Sequence, residues 1–192
     1  MGIDFLLYNV QSPINVGQIL RTADVYGVTV HCCDGARIFD DAVKLRVVED
    51  FACGALERNP PILVRPDALP ALLGSGRRSI ATTVDGRGRA LQRFTFHEGD
   101  LVILGNEYRG IDESVMARCQ ARLTIPMLPG ERPKPRSWSP IVPEGGAVAA
   151  DGGPCLNVGA AAAIIAYQSY LVEPARPSAF ADEDTRRIRR AG

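Results

Sequence analysis

Short apolar runs alternate with helical segments along most of this chain, and this alternation restricts the fold more than any other feature of the sequence. Buried strands are predicted at residues 3–8, 28–33, 79–84, 101–105 and 122–126. Helices are predicted between these strands and over residues 156–171. Such alternation is typical of a mostly parallel sheet with helices on both faces, because parallel strands need crossover connections. We therefore expect an α/β fold.

The composition fits one domain with no bulk attraction to nucleic acid. The chain has 192 residues and a formal net charge of zero, so any RNA-binding surface has to be a local patch. Lys44 and Lys134 are the lysines among 22 basic residues, and the arginines that make up the rest suit bidentate phosphate binding. Genome composition explains the same arginine bias equally well.

The cysteines and the apolar runs together predict a cytoplasmic protein with neither a metal site nor a membrane span. The cysteine count is odd, the spacing is unpaired and the opening residues lack a signal-peptide pattern, which points to a reducing compartment. Cys32 and Cys33 are adjacent and lack the gap of a zinc-binding pair, so no metal is expected. No uninterrupted apolar run is long enough to cross a bilayer.

The run N-V-G-Q-I-L-R (15–21) is the first segment with functional character. Asn15 is predicted to cap a helix over residues 16–26, and Gly17 and Arg21 lie four residues apart on one helical face. A guanidinium beside bare backbone and the positive end of a helix suits an anionic or polar ligand such as a phosphate. An ordinary surface helix in which Arg21 pairs with Asp24 fits the same residues.

Two later segments place polar residues where strands end. G-N-E-Y-R-G-I (105–111) directly follows a buried strand, so Glu107 lies where parallel sheets bind ligands; a solvated turn is the alternative. I-P-M (125–127) is a further strand exit. Asn157, in the run C-L-N-V-G, either caps the helix that follows or contributes to a site.

Taken in order, N-x-G-x-x-x-R, G-N-E-x-x-G-I, I-P-M and L-N-V-G resemble the motifs of the SpoU/TrmH group of SPOUT methyltransferases. The resemblance covers residues 3–172 and implies a minimal, single-domain member without an extra RNA-binding domain. It implies an α/β fold with a deep trefoil knot in its C-terminal part, which pattern reasoning does not suggest because knots are rare. The implied reaction is methyl transfer from S-adenosylmethionine (AdoMet) to a ribose 2'-hydroxyl of RNA, most similar to members that act on tRNA.

The resemblance also implies a homodimer whose site lies near the subunit contact. We expect that contact to involve the first helix and the helix over residues 156–171. The second of these carries a stripe of small residues, Gly159, Ala163 and Ala166. From the helix pattern alone, core packing explains this stripe better than a subunit contact does.

The resemblance further implies which residues act. Arg21 is most closely tied to catalysis. A guanidinium stays protonated, with a reference pKa of about 12.5–13.8, so we expect Arg21 to hold a phosphate and stabilise the developing alkoxide. Asn15 is expected to hold Arg21 or the ribose, Glu107 to orient Arg21 or Asn15, and Asn157 to complete the catalytic set. The expected cofactor-binding residues are Thr82, Gly105, Ile125, Met127, Cys155 and Leu156.

Two features depart from the family pattern. Cys155 stands where the family usually has serine, and a thiol is the weaker hydrogen-bond donor; a cysteine nucleophile is not favoured, because neither His31 nor His97 lies in a motif. The second departure is a Pro/Gly-rich insertion at residues 128–154, which is either an RNA-binding arm or a disordered excursion. Residues of the types that pair with phosphate and stack on bases occur in it: Arg132, Lys134, Arg136 and Trp138.

These observations organise the chain as a methyltransferase domain over residues 1–172, interrupted by the insertion, and a charged tail over residues 173–192. The leading hypothesis is a tRNA 2'-O-methyltransferase, with rRNA as the nearest alternative substrate. A non-catalytic RNA-binding or assembly protein on the same fold is a second hypothesis, and the intact set of polar motif residues argues against it. A third is an unrelated α/β enzyme that binds a phosphorylated metabolite beside Arg21.

Overall fold

The computed structural model describes residues 2–84, 86–127 and 156–172. Seven strands form one sheet in the order β3-β2-β1-β6-β4-β7-β5, and every strand pair is parallel. The strands are β1 (Asp4–Tyr8), β2 (Thr29–Cys33), β3 (Ile62–Leu63), β4 (Ser79–Thr83), β5 (Arg89–Ala90), β6 (Leu101–Leu104) and β7 (Ala121–Thr124). The mostly parallel α/β sheet predicted from the sequence is confirmed.

Six helices connect these strands within the described ranges. They are α1 (Pro13–Tyr26), α2 (Ala42–Ala52), α3 (Ala55–Arg58), α4 (Leu69–Leu73), α5 (Glu113–Met116) and α6 (Val158–Val172). The sequence patterns did not predict α3, the two-residue strand β5 or a 3-10 turn at Leu91–Arg93. These elements are too short to show a hydrophobic period.

The sheet is buried on both faces, as the continuous apolar runs predict. Along β1, Phe5 and Leu7 join one hydrophobic core together with residues of α1, α2 and α6, while Leu6 and Tyr8 join a second core with residues of α4 and α5. The alternation follows from the two-residue period of a strand. Both cores therefore depend on β1, which lies between β2 and β6 near the centre of the sheet.

Helix α1 begins three residues earlier than predicted. Ser12 is its N-cap, with its hydroxyl accepting a hydrogen bond from the backbone N–H of Asn15, and Pro13 occupies the first turn. Gly27 ends the helix in a left-handed conformation (φ 67°), as predicted. Ser-Pro is a recognisable helix start, because proline at the first helical position has no N–H to leave unpaired. The prediction that Asn15 caps this helix is wrong, and its side chain is free for another role.

Gly17 allows α1 and α2 to approach closely. A Cβ at this position would lie 2.7 Å from both the Cβ of Phe51 and the carbonyl oxygen of Val48. The backbone of Gly17 is therefore covered by α2 and does not form the bare surface that the sequence suggested. The predicted trefoil knot depends on the path of the chain between residues 127 and 156, which lies outside the described residues.

Candidate functional site

Glu107 joins the exit of β6 to the start of α1. Its Oε1 accepts hydrogen bonds from Asn15 Nδ2 at 2.7 Å and from the backbone N–H of Ser12 at 3.1 Å. Its Oε2 accepts one from the backbone N–H of Gln11 at 2.8 Å. Such charge-assisted bonds are the stronger class of hydrogen bond in proteins. Glu107 therefore holds the loop that precedes α1 and orients the Asn15 amide.

Asn157 extends this arrangement to the start of α6. Its Nδ2 donates to Asn15 Oδ1 at 2.9 Å, and its Oδ1 accepts from the backbone N–H of Gly159 at 2.8 Å. Asn157 thus both begins α6 and contacts Asn15, so the two readings of this residue are compatible. We call Asn15, Glu107 and Asn157 the Asn–Glu–Asn network. It brings together one residue from each of the three sequence motifs.

The network also fixes which way its amides face. Asn15 must turn its NH2 group toward the Glu107 carboxylate, because a carboxylate only accepts hydrogen bonds. Its oxygen then faces the NH2 group of Asn157. Asn15 is buried, so this orientation is enclosed by protein. The arrangement is a rigid, polar junction at the carboxyl edge of the sheet.

Arg21 lies away from the network within one chain. It is six residues beyond Asn15, which corresponds to about 9 Å along the axis of α1 and about 120° around it. Its Nη1 contacts Cys53 Sγ at 3.4 Å, and no hydrogen bond among the described residues links it to Asn15, Glu107 or Asn157. Within the described part of one chain, neither Asn15 nor Glu107 is hydrogen-bonded to Arg21, so the expected contact with Arg21 stays a prediction. Glu107 instead orients Asn15, which is the other alternative.

Asp24 does not pair with Arg21, because its carboxylate forms an ion pair with another arginine. Arg58, at the end of α3, donates to Asp24 Oδ2 from Nε at 2.9 Å and from Nη2 at 2.6 Å. The ordinary surface ion pair between Arg21 and Asp24 is thus not formed. The Arg21 side chain stays exposed on α1, beside Cys53, with no carboxylate partner in the described part of the chain.

Four of the expected cofactor-binding residues lie in or directly after three neighbouring strands: Thr82 in β4, Gly105 after β6, and Ile125 and Met127 after β7. Leu156 lies just before α6. The Thr82 hydroxyl donates a hydrogen bond to the carbonyl of Ile103 at 2.8 Å, so this side chain links β4 to β6. Gly105 is required by its own loop, because a Cβ there would lie 2.6 Å from the carbonyl carbon of Gly110. Ile125 and Met127 are partly buried, and Leu156 is 38% exposed.

Several predicted residues lie outside the described ranges. They are Cys155 and the RNA-binding candidates Arg132, Lys134, Arg136 and Trp138. Their roles stay predictions, as do the two explanations of the insertion. Within residues 2–84, 86–127 and 156–172, no group of three or more metal-ligating side chains comes together. No helix in those ranges is long and apolar enough to span a membrane.

Tyr8 ends β1 and forms a partly buried hydrogen bond. Its hydroxyl donates to Asp112 Oδ2 at 2.5 Å. Burial, and then the hydrogen bond and charge of Asp112, raise the pKa of Tyr8 to about 12. The phenol is therefore neutral, and a donor, throughout the ordinary pH range.

This pKa makes the stability of the fold sensitive to alkaline pH. In the unfolded chain Tyr8 loses its proton near pH 10, whereas in the folded chain it keeps the proton to about pH 12. Its contribution is complete below about pH 10 and is lost as pH rises through about 12. We expect the free energy of unfolding to fall less steeply over that interval in Tyr8→Phe than in the unmodified chain, measured by urea unfolding. Parallel pH profiles of the two proteins contradict the assignment.

Comparison with known proteins identifies the family of this chain. The sequence model of the SpoU rRNA Methylase family matches residues 2–132, more than half of the chain. The chain belongs to the SpoU methylase family. The resemblance drawn from the motifs is thereby confirmed.

Individual relatives of this SpoU methylase have similar length and fold. A tRNA (cytidine(34)-2'-O)-methyltransferase from Methylovorus glucosotrophus (strain SIP3-4) is 31% identical over 133 residues, covering 67% of this chain and 82% of the relative. A structure described as giving insights into the 2-OH methylation of C/U34 on tRNA superimposes with a TM-score of 0.66 at 25% identity, covering 88% of this chain and 93% of the other.

A third relative shows the fold alone. AviRb from Streptomyces viridochromogenes, a SpoU methyltransferase in complex with AdoMet, has a TM-score of 0.63 at 23% identity over 88% of this chain and 56% of its own. Its agreement with this SpoU methylase extends the family match to the sheet arrangement.

Sequence reasoning missed several residues that shape the site of this SpoU methylase. Ser12 was recognisable as a helix start before Pro13. Asn106 is the neighbour of Glu107, and it too holds the loop before α1, by donating from Nδ2 to the carbonyl of Asn9 at 2.7 Å. Only the pairing of β1 with β6 brings Asn106 to this loop, and no local pattern encodes that pairing.

Proposed function

We propose that this SpoU methylase transfers the methyl group of AdoMet to a ribose 2'-hydroxyl of tRNA. The observation that carries the proposal is the Asn–Glu–Asn network, which joins three distant motifs into one polar junction at the carboxyl edge of a parallel sheet. Ligands bind at this edge in open α/β folds. Membership of a methylase family and the tRNA methyltransferase among the relatives support the reaction and the substrate.

The reaction needs positioning more than it needs a reactive side chain. AdoMet supplies a methyl group that is already activated by the positive sulfur. The ribose oxygen forms a bond to the methyl carbon as the carbon–sulfur bond breaks, S-adenosylhomocysteine leaves, and the hydroxyl proton passes to solvent. The protein has to align acceptor and donor and stabilise charge on the ribose oxygen.

The site residues divide this work. The network holds the start of α1 and the start of α6 in fixed positions. Asn15, which is buried, holds Asn157 in place, and the exposed amide of Asn157 contacts the ribose. Arg21 binds the phosphate next to the target ribose and stabilises the developing alkoxide. The exits of β6, β4 and β7 hold AdoMet through Thr82, Gly105, Ile125, Met127, Cys155 and Leu156. Partly exposed apolar side chains beside open strand-end backbone, as at Ile125 and Met127, suit an adenosine.

We also propose a homodimer in which Arg21 enters the site of the partner subunit. Arg21 is exposed and separated from the network of its own chain, and α1 packs beside α6. Helix α6 exposes Ile164, Tyr167 and Leu171 along one face, and Tyr26 of α1 contacts the ring of Tyr167 with centroids 6.3 Å apart. A second copy of the chain covering this face would bury the apolar side chains and bring Arg21 to its partner.

The dimer proposal predicts that a charge on α6 separates the subunits. Leu171, 54% exposed, is the site for a Leu171→Asp substitution, because a desolvated carboxylate opposes burial of the surrounding apolar face. We expect a dimer for the unmodified chain and a monomer for Leu171→Asp in sedimentation equilibrium. Val43→Asp is the control, because Val43 is also exposed but lies on α2. A monomeric unmodified chain, or equal dissociation of both variants, contradicts the proposal.

The organisation of the chain follows the same proposal. We propose that residues 1–172 make up the methyltransferase domain, with residues 128–154 as a Pro/Gly-rich insertion in its sequence and residues 173–192 as a charged tail sequence. A tRNA substrate places the enzyme in the cytoplasm.

Methyl transfer is tested directly with AdoMet carrying a labelled methyl group. The protein is incubated with bulk tRNA and, separately, with rRNA, and the labelled nucleotide is mapped. We expect label on a 2'-oxygen of tRNA. Label in rRNA favours the alternative substrate. We include rRNA because the matching family is described as the SpoU rRNA Methylase family. AdoMet binding without transfer to any RNA indicates a non-catalytic RNA-binding protein, and phosphate binding without AdoMet affinity indicates a metabolite enzyme.

A further inference from the structure

A polar cleft of about 240 Å³ opens at the carboxyl edge of the sheet, on the β1 side of the network. We call it the β1–β6 cleft, because most of its lining residues belong to the loops that follow these two strands; Gly35 and Ala36, after β2, complete the wall. The side chains used below are Tyr8, Asn9, Gln11, Asn106, Arg109 and Asp112, all of which line it. Among the cofactor residues expected from the sequence, Gly105 lies in the same loop after β6, whereas Thr82, Ile125 and Met127 lie in or after β4 and β7, on the side of β6 away from β1.

The walls of the cleft are held rigidly. Asn106 is buried, and its Oδ1 accepts from the backbone N–H groups of Tyr108 and Arg109, each at 2.9 Å. Its Nδ2 donates to the carbonyl of Asn9, which adopts a left-handed conformation (φ 54°). Gly35 gives the Asn9 side chain room, because a Cβ at Gly35 would lie 2.4 Å from Asn9 Oδ1. A cleft with such walls is formed before any ligand arrives.

The cleft shares its wall with the proposed catalytic network. Gln11 lines the cleft, and its backbone N–H donates to Glu107 Oε2. Asn106 and Glu107, which are consecutive, therefore hold the same loop from Asn9 to Ser12 at two points. A nucleotide that places its ribose at the network has its base within reach of the cleft, since base and ribose are directly bonded.

Asp112 is turned into the cleft and away from its own helix. It occupies the N-cap position of α5, yet its side chain makes no capping hydrogen bond. Its Oδ2 instead accepts from the Tyr8 hydroxyl, and no hydrogen bond from the described residues reaches Oδ1. Arg109 and Gln11 also line the cleft, and no hydrogen bond joins either side chain to another of those residues. The cleft thus offers one anionic acceptor together with donors.

We propose that the β1–β6 cleft binds the base of the nucleotide to be methylated, and that Asp112 selects cytosine over uracil. A carboxylate accepts a hydrogen bond from the N4 amino group of cytosine. At the same position uracil has the O4 carbonyl oxygen. Two hydrogen-bond acceptors cannot bond to each other, so the carboxylate repels uracil. Arg109 and Gln11 donate to the remaining acceptors of the pyrimidine. Tyr8 fixes the Asp112 side chain and leaves Oδ1 for the base.

This inference rests on the proposed function and is tested with paired RNA substrates. Two transcripts are prepared that differ only by cytidine or uridine at the mapped nucleotide, and kcat/KM is measured for both. We expect the unmodified chain to prefer cytidine. Asp112→Asn should lower the cytidine-to-uridine ratio by at least about fivefold, because one base contact is worth about 1–3 kcal/mol of discrimination. AdoMet affinity, measured by calorimetry, should stay unchanged.

Two controls separate base selection from loosening of the cleft. Tyr8→Phe removes the hydrogen bond to Asp112 but keeps the carboxylate, so this variant should still have a higher kcat/KM for the cytidine transcript than for the uridine transcript. Asp67→Asn removes an exposed carboxylate that pairs with Arg65 outside the cleft, and it should change nothing. Thermal unfolding of each variant establishes that it is folded.

The outcomes distinguish this inference from the proposed function. Methylation with a ratio that Asp112→Asn leaves unchanged, or a mapped uridine or purine, overturns the role of Asp112 and leaves the reaction standing. If no RNA is methylated, the proposed function fails, and binding of CMP and UMP is then compared by ligand-observed NMR in the unmodified chain and in Asp112→Asn. Preferential binding of CMP that is lost in Asp112→Asn upholds the cleft, and equal binding overturns it.

Discussion

Replacing Arg21 with alanine is expected to lower methyl transfer to RNA by at least about 100-fold, the usual cost of removing a donor that stabilises a developing oxyanion. AdoMet affinity should not change, because the proposed partners of Arg21 are the phosphate and the ribose oxygen of the RNA and not the cofactor. Arg21→Lys keeps the charge but loses the planar fork, so partial activity is expected. The measurements are single-turnover transfer from labelled AdoMet and calorimetric AdoMet binding.

The control for this substitution is Arg46→Ala. Arg46 is an exposed arginine on α2 that pairs with Glu49 and Asp50 of its own helix, and its loss should leave transfer nearly unchanged. Near-normal turnover in Arg21→Ala discards the proposed role. An equal loss in both variants indicates a general effect of surface charge on RNA binding.

Mixed dimers decide which subunit receives Arg21. Arg21→Ala and Glu107→Gln chains are each expected to be inactive as homodimers. If Arg21 acts on the partner, each mixed dimer has one site with an intact network and an intact arginine. Random mixing makes about half of the dimers mixed, so about a quarter of the activity is restored. If it acts within its own chain, both sites of the mixed dimer are damaged and no activity returns.

The largest expected loss of stability comes from Arg78→Ala. The Asp100 side chain is 1% exposed, and Arg78 donates to its two oxygens from Nε at 2.9 Å and from Nη2 at 2.5 Å. Removing Arg78 leaves the buried Asp100 carboxylate without its cationic partner, although the backbone N–H of His97 still donates to Oδ2 at 2.8 Å. Breaking a buried ion pair in this way costs about 3–5 kcal/mol of the free energy of unfolding. The contact of the Arg78 guanidinium with the Phe94 ring is also lost. Urea unfolding measures the change.

Arg65→Ala provides the matched comparison. Arg65 and Asp67 form the same kind of ion pair, but their side chains are 82% and 67% exposed, so its removal should cost at most about 1 kcal/mol. Arg78 and Asp100 precede β4 and β6 at the amino edge of the sheet, opposite the site. We therefore expect the folded fraction of Arg78→Ala to keep its AdoMet affinity. A loss as small as that of Arg65→Ala contradicts the burial argument.

The parts of the fold that follow from local chemistry were predictable from the sequence. Strands β1 and β6 have continuous apolar runs because both of their faces are buried, and Gly27 marks the end of α1 because it adopts a left-handed conformation. The start of α1 was misplaced by three residues because Asn15 was given the capping role that belongs to Ser12.

The motif residues of the site were recognisable, but their arrangement was not. Glu107 meets Asn15 because β6 lies beside β1, and this adjacency is a property of the whole sheet. The position of Arg21 depends on Cys53, which takes a left-handed conformation (φ 51°) between α2 and α3, and on Arg58, which occupies Asp24. Each of these partners is distant in sequence, so no spacing rule connects them to the motif.

The separations along the chain within the network have a consequence for biosynthesis. The hydrogen bonds of the Asn15 amide can form only after Glu107, 92 residues later, and Asn157, 142 residues later, have been synthesised. Contacts between residues so far apart in sequence form late in folding, because the entropy of closing a long loop is lost before the contact contributes any stabilisation. A nascent chain that still lacks α6 already contains all seven strands of the described sheet, but its Asn–Glu–Asn network is completed only after α6 has left the ribosome.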